Sequence, residues 1–216
     1  MDTVDVVLPC LDEAAALPGV LAALPTGYRA IVVDNGSTDG SPEVAAAHGA
    51  TVVHEPRRGY GAAVHTGLSL ASTEIVCFLD ADGSLDPAEL LPLVEAVENG
   101  ADLAVGRRVP VSRDAWPWHA RAGNLVLASI LRRRGLPVSD IACMRAVRRA
   151  DLLALDVRDR AFGYPLELLV RAADAGWSVV ERDITYRPRA AGTHSKVSGS
   201  VRGTLRAVRD MAGVLR

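Results

Sequence analysis

Lysine is almost missing from this 216-residue chain: of its 24 basic side chains, all but Lys196 are arginine. A solitary lysine among so many arginines is a candidate for a specific task, because its compact ammonium binds phosphate as a point charge that a planar guanidinium does not reproduce. Cysteine is also scarce. Cys10, Cys77 and Cys143 are odd in number and far apart, which excludes metal-finger spacing and favours a reducing compartment. Charge of one sign is lacking: the formal net charge is −2, so no bulk field points to nucleic acid. No apolar run approaches the ~18 residues needed to span a bilayer. No strand–Gly-x-Gly-x-x-Gly–helix unit exists, which argues against a nicotinamide dinucleotide. The chain begins directly with an apolar strand and shows no leader, so a cytoplasmic protein, or one peripheral to a membrane, is expected. Repeats, low-complexity tracts and linkers are absent, and the length suits one domain over residues 1–216.

What is present centres on Ile75-Val76-Cys77-Phe78-Leu79-Asp80-Ala81-Asp82-Gly83-Ser84. A short apolar run rich in β-branched and aromatic residues reads as a strand buried on both faces. The aspartates then stand at its C-terminal end, where open α/β sheets bind ligands. Side chains two apart on an extended chain point the same way, so Asp80 and Asp82 can aim at one point. Their mutual repulsion calls for a positive charge between them. Magnesium or manganese bridging a diphosphate supplies it, since hard cations take one or two carboxylates together with phosphate oxygens. The competing reading is a plain Asp82-Gly83 turn after a strand.

Strands are expected at Val4–Leu8, Ala30–Val33, Thr51–His54, the 75–79 run and Asp102–Gly106. Helices are expected from Asp12 to about Leu24, after Ser41 to about His48, from Ala62 to Ala71 and after Pro87 to Glu98. Acidic Asp12 and Glu13 suit the first turn of the first helix. This alternation predicts a Rossmann-like α/β unit with a mostly parallel sheet flanked by helices, formed by residues 1–106. In residues 107–216 the rhythm breaks. Helices are expected over His119–Arg133 and Pro165–Ala175, and strands over Ala142–Val147 and Val179–Ile184. A polar loop follows over Arg187–Ser200. The last segment, Val201–Leu215, is helical by pattern, with an apolar stripe beside Arg202, Arg206 and Arg209.

Four ordered blocks resemble the family two glycosyltransferases of the GT-A fold: Val7-Leu8-Pro9-Cys10-Leu11-Asp12-Glu13, Val33-Asp34-Asn35-Gly36-Ser37-Thr38-Asp39-Gly40, Arg58-Gly59-Tyr60-Gly61-Ala62-Ala63 and Phe78-Leu79-Asp80-Ala81-Asp82. Arg187-Pro188-Arg189 and Ser195-Lys196-Val197-Ser198-Gly199 resemble the closing segment of the polyprenyl-phosphate (dolichol-phosphate) mannosyl- and glucosyltransferase branch. Two departures are visible. Asn35 stands where the family usually has a second Asp, and the segment from Asp140 to Arg145 is a residue shorter than the branch's and lacks its Ser-Gly.

The resemblance implies inverting transfer of a sugar from a UDP- or GDP-sugar, aided by Mg2+ or Mn2+. It implies that Asp80 bridges ribose and metal, that Asp82 ligates the metal, and that Ser84 stands where the branch often has a metal-assisting Gln. Pro9, Glu13, Asp34 and Asp39 match donor-nucleotide blocks, with Asp34 placed to accept from a base N–H. Glu13 as a first-turn helix acid and Asp39 as a helix N-cap are the alternatives. Gly59 and Gly61 permit close backbone approach to the nucleotide, the alternative being an ordinary Gly-x-Gly turn. Arg189, His194 and Lys196 lie in a loop suited to a lid over a diphosphate. Arg107, Arg121 and Asn124 match acceptor-phosphate positions, Asp140 opens the shortened segment, and Arg108 reads as an exposed neighbour. A lipid-phosphate acceptor needs cations, whereas a hydroxyl acceptor needs a base. Glu167 is the candidate base; the alternative is a structural carboxylate paired with Arg171 at i+4.

Trp116, Trp118 and the basic stripe of the last helix are the candidates for peripheral membrane contact, against the alternative that this helix packs on the core or on a second subunit. Two other functions compete. A nucleotidyltransferase would also use paired acids and a metal, but its basic Gly-rich loop near the N-terminus is not found at Pro9–Glu13. A binding protein that has lost transfer would accommodate the two departures. The sequence does not indicate an oligomeric state.

Overall fold

The computed structural model describes residues 3–112, 115–141, 143–190 and 209–214. Its sheet has seven strands: β1 (Val4–Cys10), β2 (Tyr28–Asp34), β3 (Thr51–His54), β4 (Ile75–Phe78), β5 (Leu103–Pro110), β6 (Arg145–Arg148) and β7 (Val179–Tyr186). The helices are α1 (Leu17–Ala22), α2 (Ser41–Ala47), α3 (Tyr60–Leu70), α4 (Leu91–Glu98), α5 (Trp118–Arg133), α6 (Arg149–Ala154) and α7 (Tyr164–Asp174), with a 3-10 turn at Pro87–Leu90 leading into α4. Residues 209–214 are helical; the rest of the expected terminal helix lies outside the described residues. The sheet order is β3-β2-β1-β4-β6-β5-β7. Every pairing is parallel except those of β6, which runs antiparallel to both β4 and β5.

The period of two along each strand divides the core into two layers. Val6, Leu8, Cys77, Ala104 and Ala146 face one side, with Leu17 of α1, Ala45 of α2 and Leu93 and Val97 of α4. Val7, Val76, Phe78, Leu103 and Val147 face the other, with Val64 and Leu68 of α3, Leu131 of α5, Leu152 of α6 and Leu168 of α7. A sheet buried on both faces needs apolar residues at both parities, which explains the apolar runs Val6–Leu8 in β1, Ala30–Val33 in β2 and Ile75–Phe78 in β4. β6, from the second half of the chain, inserts between β4 and β5, so both halves contribute to one sheet.

Three expectations shift. The first helix starts at Leu17 rather than Asp12, because Asp12 adopts φ 54° and its carboxylate accepts the Thr38 N–H at 2.8 Å. Its competitor is a long-range tie between two loops, which the local helix signal does not reveal. Glu13 therefore lies in a loop and not in a first helical turn. The strand expected from Ala142 begins at Arg145, and α6, too short to show a helical period, was not expected.

Within β1, Asp5 is a buried carboxylate with its partners built in. It accepts the Ser72 N–H at 2.7 Å and the Thr73 N–H at 3.2 Å, and Arg29 Nε donates to it at 3.0 Å. Burial alone would raise its pKa, but these donors outweigh it and hold the group below its ordinary 3.8. A depressed carboxylate contributes stability that is present above the ordinary pKa and lost as pH falls through the folded one. Asp5→Asn is therefore expected to cost roughly 1–3 kcal/mol in urea unfolding at neutral pH, and the gap to wild type should close as the pH is lowered below about 4.

Candidate active site

Between β1 and β4 the chain order of the sheet reverses, since β1 is flanked by β2 on one side and β4 on the other. In an open parallel sheet that crevice, beyond the strand C-termini, is where ligands bind. Three loops meet there. Residues 11–16 follow β1, residues 35–40 follow β2, and residues 79–86 follow β4 and carry Asp80, Asp82 and Ser84.

Asp82 is only 2% exposed, and Ser84 1%. The Ser84 N–H donates to Asp82 Oδ1 at 2.9 Å, which fixes the carboxylate on its turn. Asp82 Oδ2 lies 2.6 Å from Arg189 Nη1, and the same nitrogen is 4.0 Å from Glu13 Oε1. Burial works against a charged guanidinium, yet Asp82, Asp80, Tyr186 and Glu13 outweigh it and raise the Arg189 pKa. At Asp80, burial and then the charge of Asp82 push the pKa up; a hydrogen bond from the Cys143 thiol and the charges of Arg189 and Arg108 oppose them. Among the described residues, Arg189 is the cation that contacts this buried negative charge directly, and Arg108 acts on Asp80 beside it.

The donors suit a hard divalent ion. Carboxylate oxygens are the ligands that magnesium and manganese prefer, and the buried Ser84 Oγ has no hydrogen-bond partner. Among the described residues no group of three or more His, Cys, Asp or Glu side chains encloses a metal position. A cation here would complete its shell with oxygens from elsewhere, such as a diphosphate.

The turn after β2 is tightly bonded. Asp34 accepts the Ser37 N–H at 2.9 Å, the Gly36 N–H at 3.2 Å and faces His54 Nδ1 at 3.0 Å. Burial raises its pKa, and the Ser37, His54 and Gly36 contacts overcome that to leave it lowered, so it stays an acceptor. Asp39 accepts the Ser41 N–H and hydroxyl at 3.0 and 2.5 Å through one oxygen and the Ala14 N–H at 2.9 Å through the other. It does an N-cap's work for α2 from one residue further out, Gly40 being the cap, and it pins the loop that carries Glu13. Pro9 lies within β1, opposite Val33.

Asn35 explains its own departure from the family. Its amide donates to the carbonyls of Glu55 and Arg57 at 2.9 and 2.8 Å, while Oδ1 accepts the Gly59 N–H at 2.8 Å. An aspartate would have no protons for the two carbonyls. Asn35 thus brackets the loop between β3 and α3 against the turn after β2.

Four expectations need correction. Gly61 does not clear space for a nucleotide, because a Cβ there would lie 2.7 Å from Tyr164 Cβ and 2.8 Å from the Asp159 carbonyl. Gly59 is similar: its φ is 147°, and a Cβ would meet the Arg160 carbonyl at 2.1 Å. Both glycines let α3 dock on the 159–161 loop, whose carbonyls accept the N–H groups of Gly61 and Ala62 at 3.0 and 2.9 Å. Glu167 is no free base. It accepts the N–H groups of Arg158 and Asp159 and pairs with Arg171 Nε at 2.6 Å. Burial raises its pKa, but the amides and Arg171 prevail and lower it, which makes it a poor proton acceptor. Trp116 is buried, leaving Trp118, 80% exposed, as the outward-facing member of that pair. Arg107 points to the outer face of β5, in an exposed bidentate pair with Asp183 at 2.6 Å.

Its neighbour Arg108 is the residue that sequence reasoning passed over. Alternation along β5 turns it inward, where its Nε and Nη2 meet the two oxygens of buried Asp140 at 2.8 and 2.7 Å. Its guanidinium carbon lies 4.1 Å from the Trp116 ring centre and 5.4 Å from that of Tyr186, and its charge acts on Asp80. The strand expected over Asp102–Gly106 stops short of this residue, whereas β5 runs on to Pro110; with Arg107 paired to Asp183, the next residue faces the other side. Asp140 is therefore a clamp for Arg108. Asn124 bonds the Ser139 carbonyl at 3.1 Å and the Ile141 N–H at 3.0 Å, holding that segment to α5, while Arg121 is exposed on α5. His194 and Lys196 lie outside the described residues.

The bracket can be tested without any ligand. Asn35→Asp, which sets carboxylate oxygens against two carbonyls, is expected to cost roughly 2–3 kcal/mol in urea unfolding; a neutral outcome would show that Asn35 does not hold the loops together.

The sequence profile of Glycosyl transferase family 2 matches residues 5–154. An uncharacterized glycosyltransferase of Mycobacterium tuberculosis is 59% identical over 215 residues, covering 99% of this chain and 98% of that protein. Polyprenol monophosphomannose synthase of Mycolicibacterium smegmatis is 35% identical, over 90% of this chain and 81% of the synthase. Among solved structures, glucosyl-3-phosphoglycerate synthase from Mycobacterium tuberculosis, in complex with Mn2+, UDP and glucosyl-3-phosphoglycerate, superposes with a TM-score of 0.77 at 25% identity, covering 99% of this chain and 78% of that one. With a matched profile over most of its length and this shared architecture, the chain belongs to glycosyl transferase family 2.

Proposed function

We propose that the protein transfers a sugar from a nucleoside-diphosphate sugar to polyprenyl phosphate, with inversion at the anomeric carbon and with Mg2+ or Mn2+ as cofactor. The observation that carries this reading is the cluster of Asp82, Asp80 and Glu13 around Arg189 in the β1/β4 crevice. A divalent ion bound by Asp80 and Asp82 would act as a Lewis acid for the departing diphosphate. The Mn2+ and UDP in the synthase structure, and the polyprenol product named for the Mycolicibacterium relative, support the donor and acceptor classes.

The chain's own residues have separable tasks. Asp34 and the 35–40 turn border the place for the base and ribose. Arg189 stands beside the diphosphate position, and His194 and Lys196 remain candidates to close over it. Arg108, held rigid by Asp140 and stacked on Trp116, offers a fixed cation for an anionic acceptor. A phosphate acceptor is already a nucleophilic anion and needs no proton removed. That agrees with Glu167, the expected base, being consumed by the 158–159 amides and Arg171. Among the described residues no helix is long and apolar enough to cross a membrane. Contact with a lipid surface would fall to α5, where Leu125 and Val126 are exposed.

Two measurements check this. A melting-temperature panel of nucleoside diphosphates, with and without manganese, should give a metal-dependent rise for one base, equivalent to about 2.7 kcal/mol at a hundredfold excess over Kd. Asp82→Ala should abolish it, and no rise with any nucleotide would contradict the donor reading. In a transfer assay Glu167→Gln should leave the acid limb of the pH–rate profile in place, at a stability cost of about 1–2 kcal/mol; loss of that limb would restore Glu167 as the base.

A further inference from the structure

We propose that Arg189 makes divalent-cation binding conditional on the nucleotide: its guanidinium holds the Asp82 carboxylate until a diphosphate arrives to take the guanidinium over. The inference rests on the metal and donor reading given above, and adds a binding order to it. Arg189 Nη1 lies 2.6 Å from Asp82 Oδ2, the oxygen a metal would need, and 4.0 Å from Glu13 Oε1. Both carboxylates are buried, so leaving Asp82 without a counter-charge would be costly, and the Arg189 guanidinium supplies that counter-charge. A divalent ion alone must evict it, exchanging one cation for another and leaving two positive centres side by side. An ion arriving with a diphosphate meets no such penalty, because the phosphate oxygens can accept the displaced guanidinium.

The geometry permits this exchange by side-chain rotation alone. The backbone on both sides of Arg189 is fixed to the acidic turn: the Ala190 N–H donates to the Asp82 carbonyl at 3.0 Å, the Arg187 N–H to the Ser84 carbonyl at 2.9 Å, and Leu85 bridges Tyr186. The Arg189 side chain is nevertheless 30% exposed, so its guanidinium is not locked in by packing. Arginine suits the task better than lysine, since its planar fork satisfies carboxylate and phosphate geometry equally well. By linkage, whatever factor the nucleotide adds to metal affinity, the metal must add to nucleotide affinity.

The test is Mn2+ binding, read from the electron paramagnetic resonance signal of free Mn2+, without nucleotide and with UDP or GDP. It compares wild type, Arg189→Gln and Arg189→Lys, with melting curves to confirm folding. Wild type should bind bare Mn2+ weakly and gain on the order of tenfold or more with one nucleoside diphosphate. Arg189→Gln should bind bare Mn2+ more tightly than wild type and lose most of that gain, and Arg189→Lys should fall between. If wild type shows the gain but Arg189→Gln binds bare Mn2+ no more tightly and keeps the gain, the role assigned to Arg189 is wrong while the donor reading stands. If wild type binds no Mn2+ with either nucleotide, both are overturned.

Discussion

Buried negative charge at the end of a parallel strand is the constraint on which the rest of this structure depends. Asp82 is withdrawn from water, Asp80 is half-buried beside it, and Glu13 is brought in by the loop after β1. Such a cluster is tolerated only with a counter-charge and fixed hydrogen-bond donors. The Ser84 amide provides the donor, and Arg189 provides the charge from the far end of the chain, after β7. This explains why the segment that follows β7 is stitched to the 82–85 turn: the residue that neutralises the site must be delivered across about a hundred residues of sequence, and the backbone bonds of Arg187 and Ala190 deliver it.

The loops around that cluster hold one another. Glu167 fixes the 158–159 amides, the next carbonyls cap α3 at Gly61 and Ala62, Gly59 donates to Asn35, and Asn35 bonds the carbonyls of Glu55 and Arg57. On the other flank Asp39 and Asp12 tie the loop after β1 to the turn after β2. Polar residues that a motif reading assigns to ligand contact are in several cases the bonds that keep the crevice open in one shape. Beside β5 the same economy appears, with Asp140 orienting Arg108.

Much of the fold was legible because it rests on local pattern. Apolar runs ending in turn residues located β1 to β5 and β7, and the alternation with helices gave the mostly parallel sheet. The strand-end position of Asp80 and Asp82 followed from the run that precedes them. What the sequence hid was long-range pairing. Nothing near Asp12 announces that Thr38 will draw it out of a helix, and nothing near Glu167 announces the amides it will cap. The inward turn of Arg108 is hidden because the apolar pattern of β5 ends at Gly106, while the strand itself continues to Pro110. Gly59 and Gly61 are expected to let a nucleotide approach, but a side chain at either position would collide with the 159–161 segment, a long-range contact that the local Gly-x-Gly pattern does not announce.

The most direct single measurement is a transfer assay with the labelled nucleotide-sugar that stabilises the protein, manganese, and a matched pair of acceptors: a polyprenyl phosphate and the corresponding free polyprenol. The arrangement of Arg108 and the occupied state of Glu167 lead to the expectation that labelled lipid forms with the phosphate, requires the metal, and does not form with the alcohol. Transfer to the alcohol in preference to the phosphate, or transfer undiminished by a chelator, would contradict a metal-assisted site built for an acceptor that is already an anion.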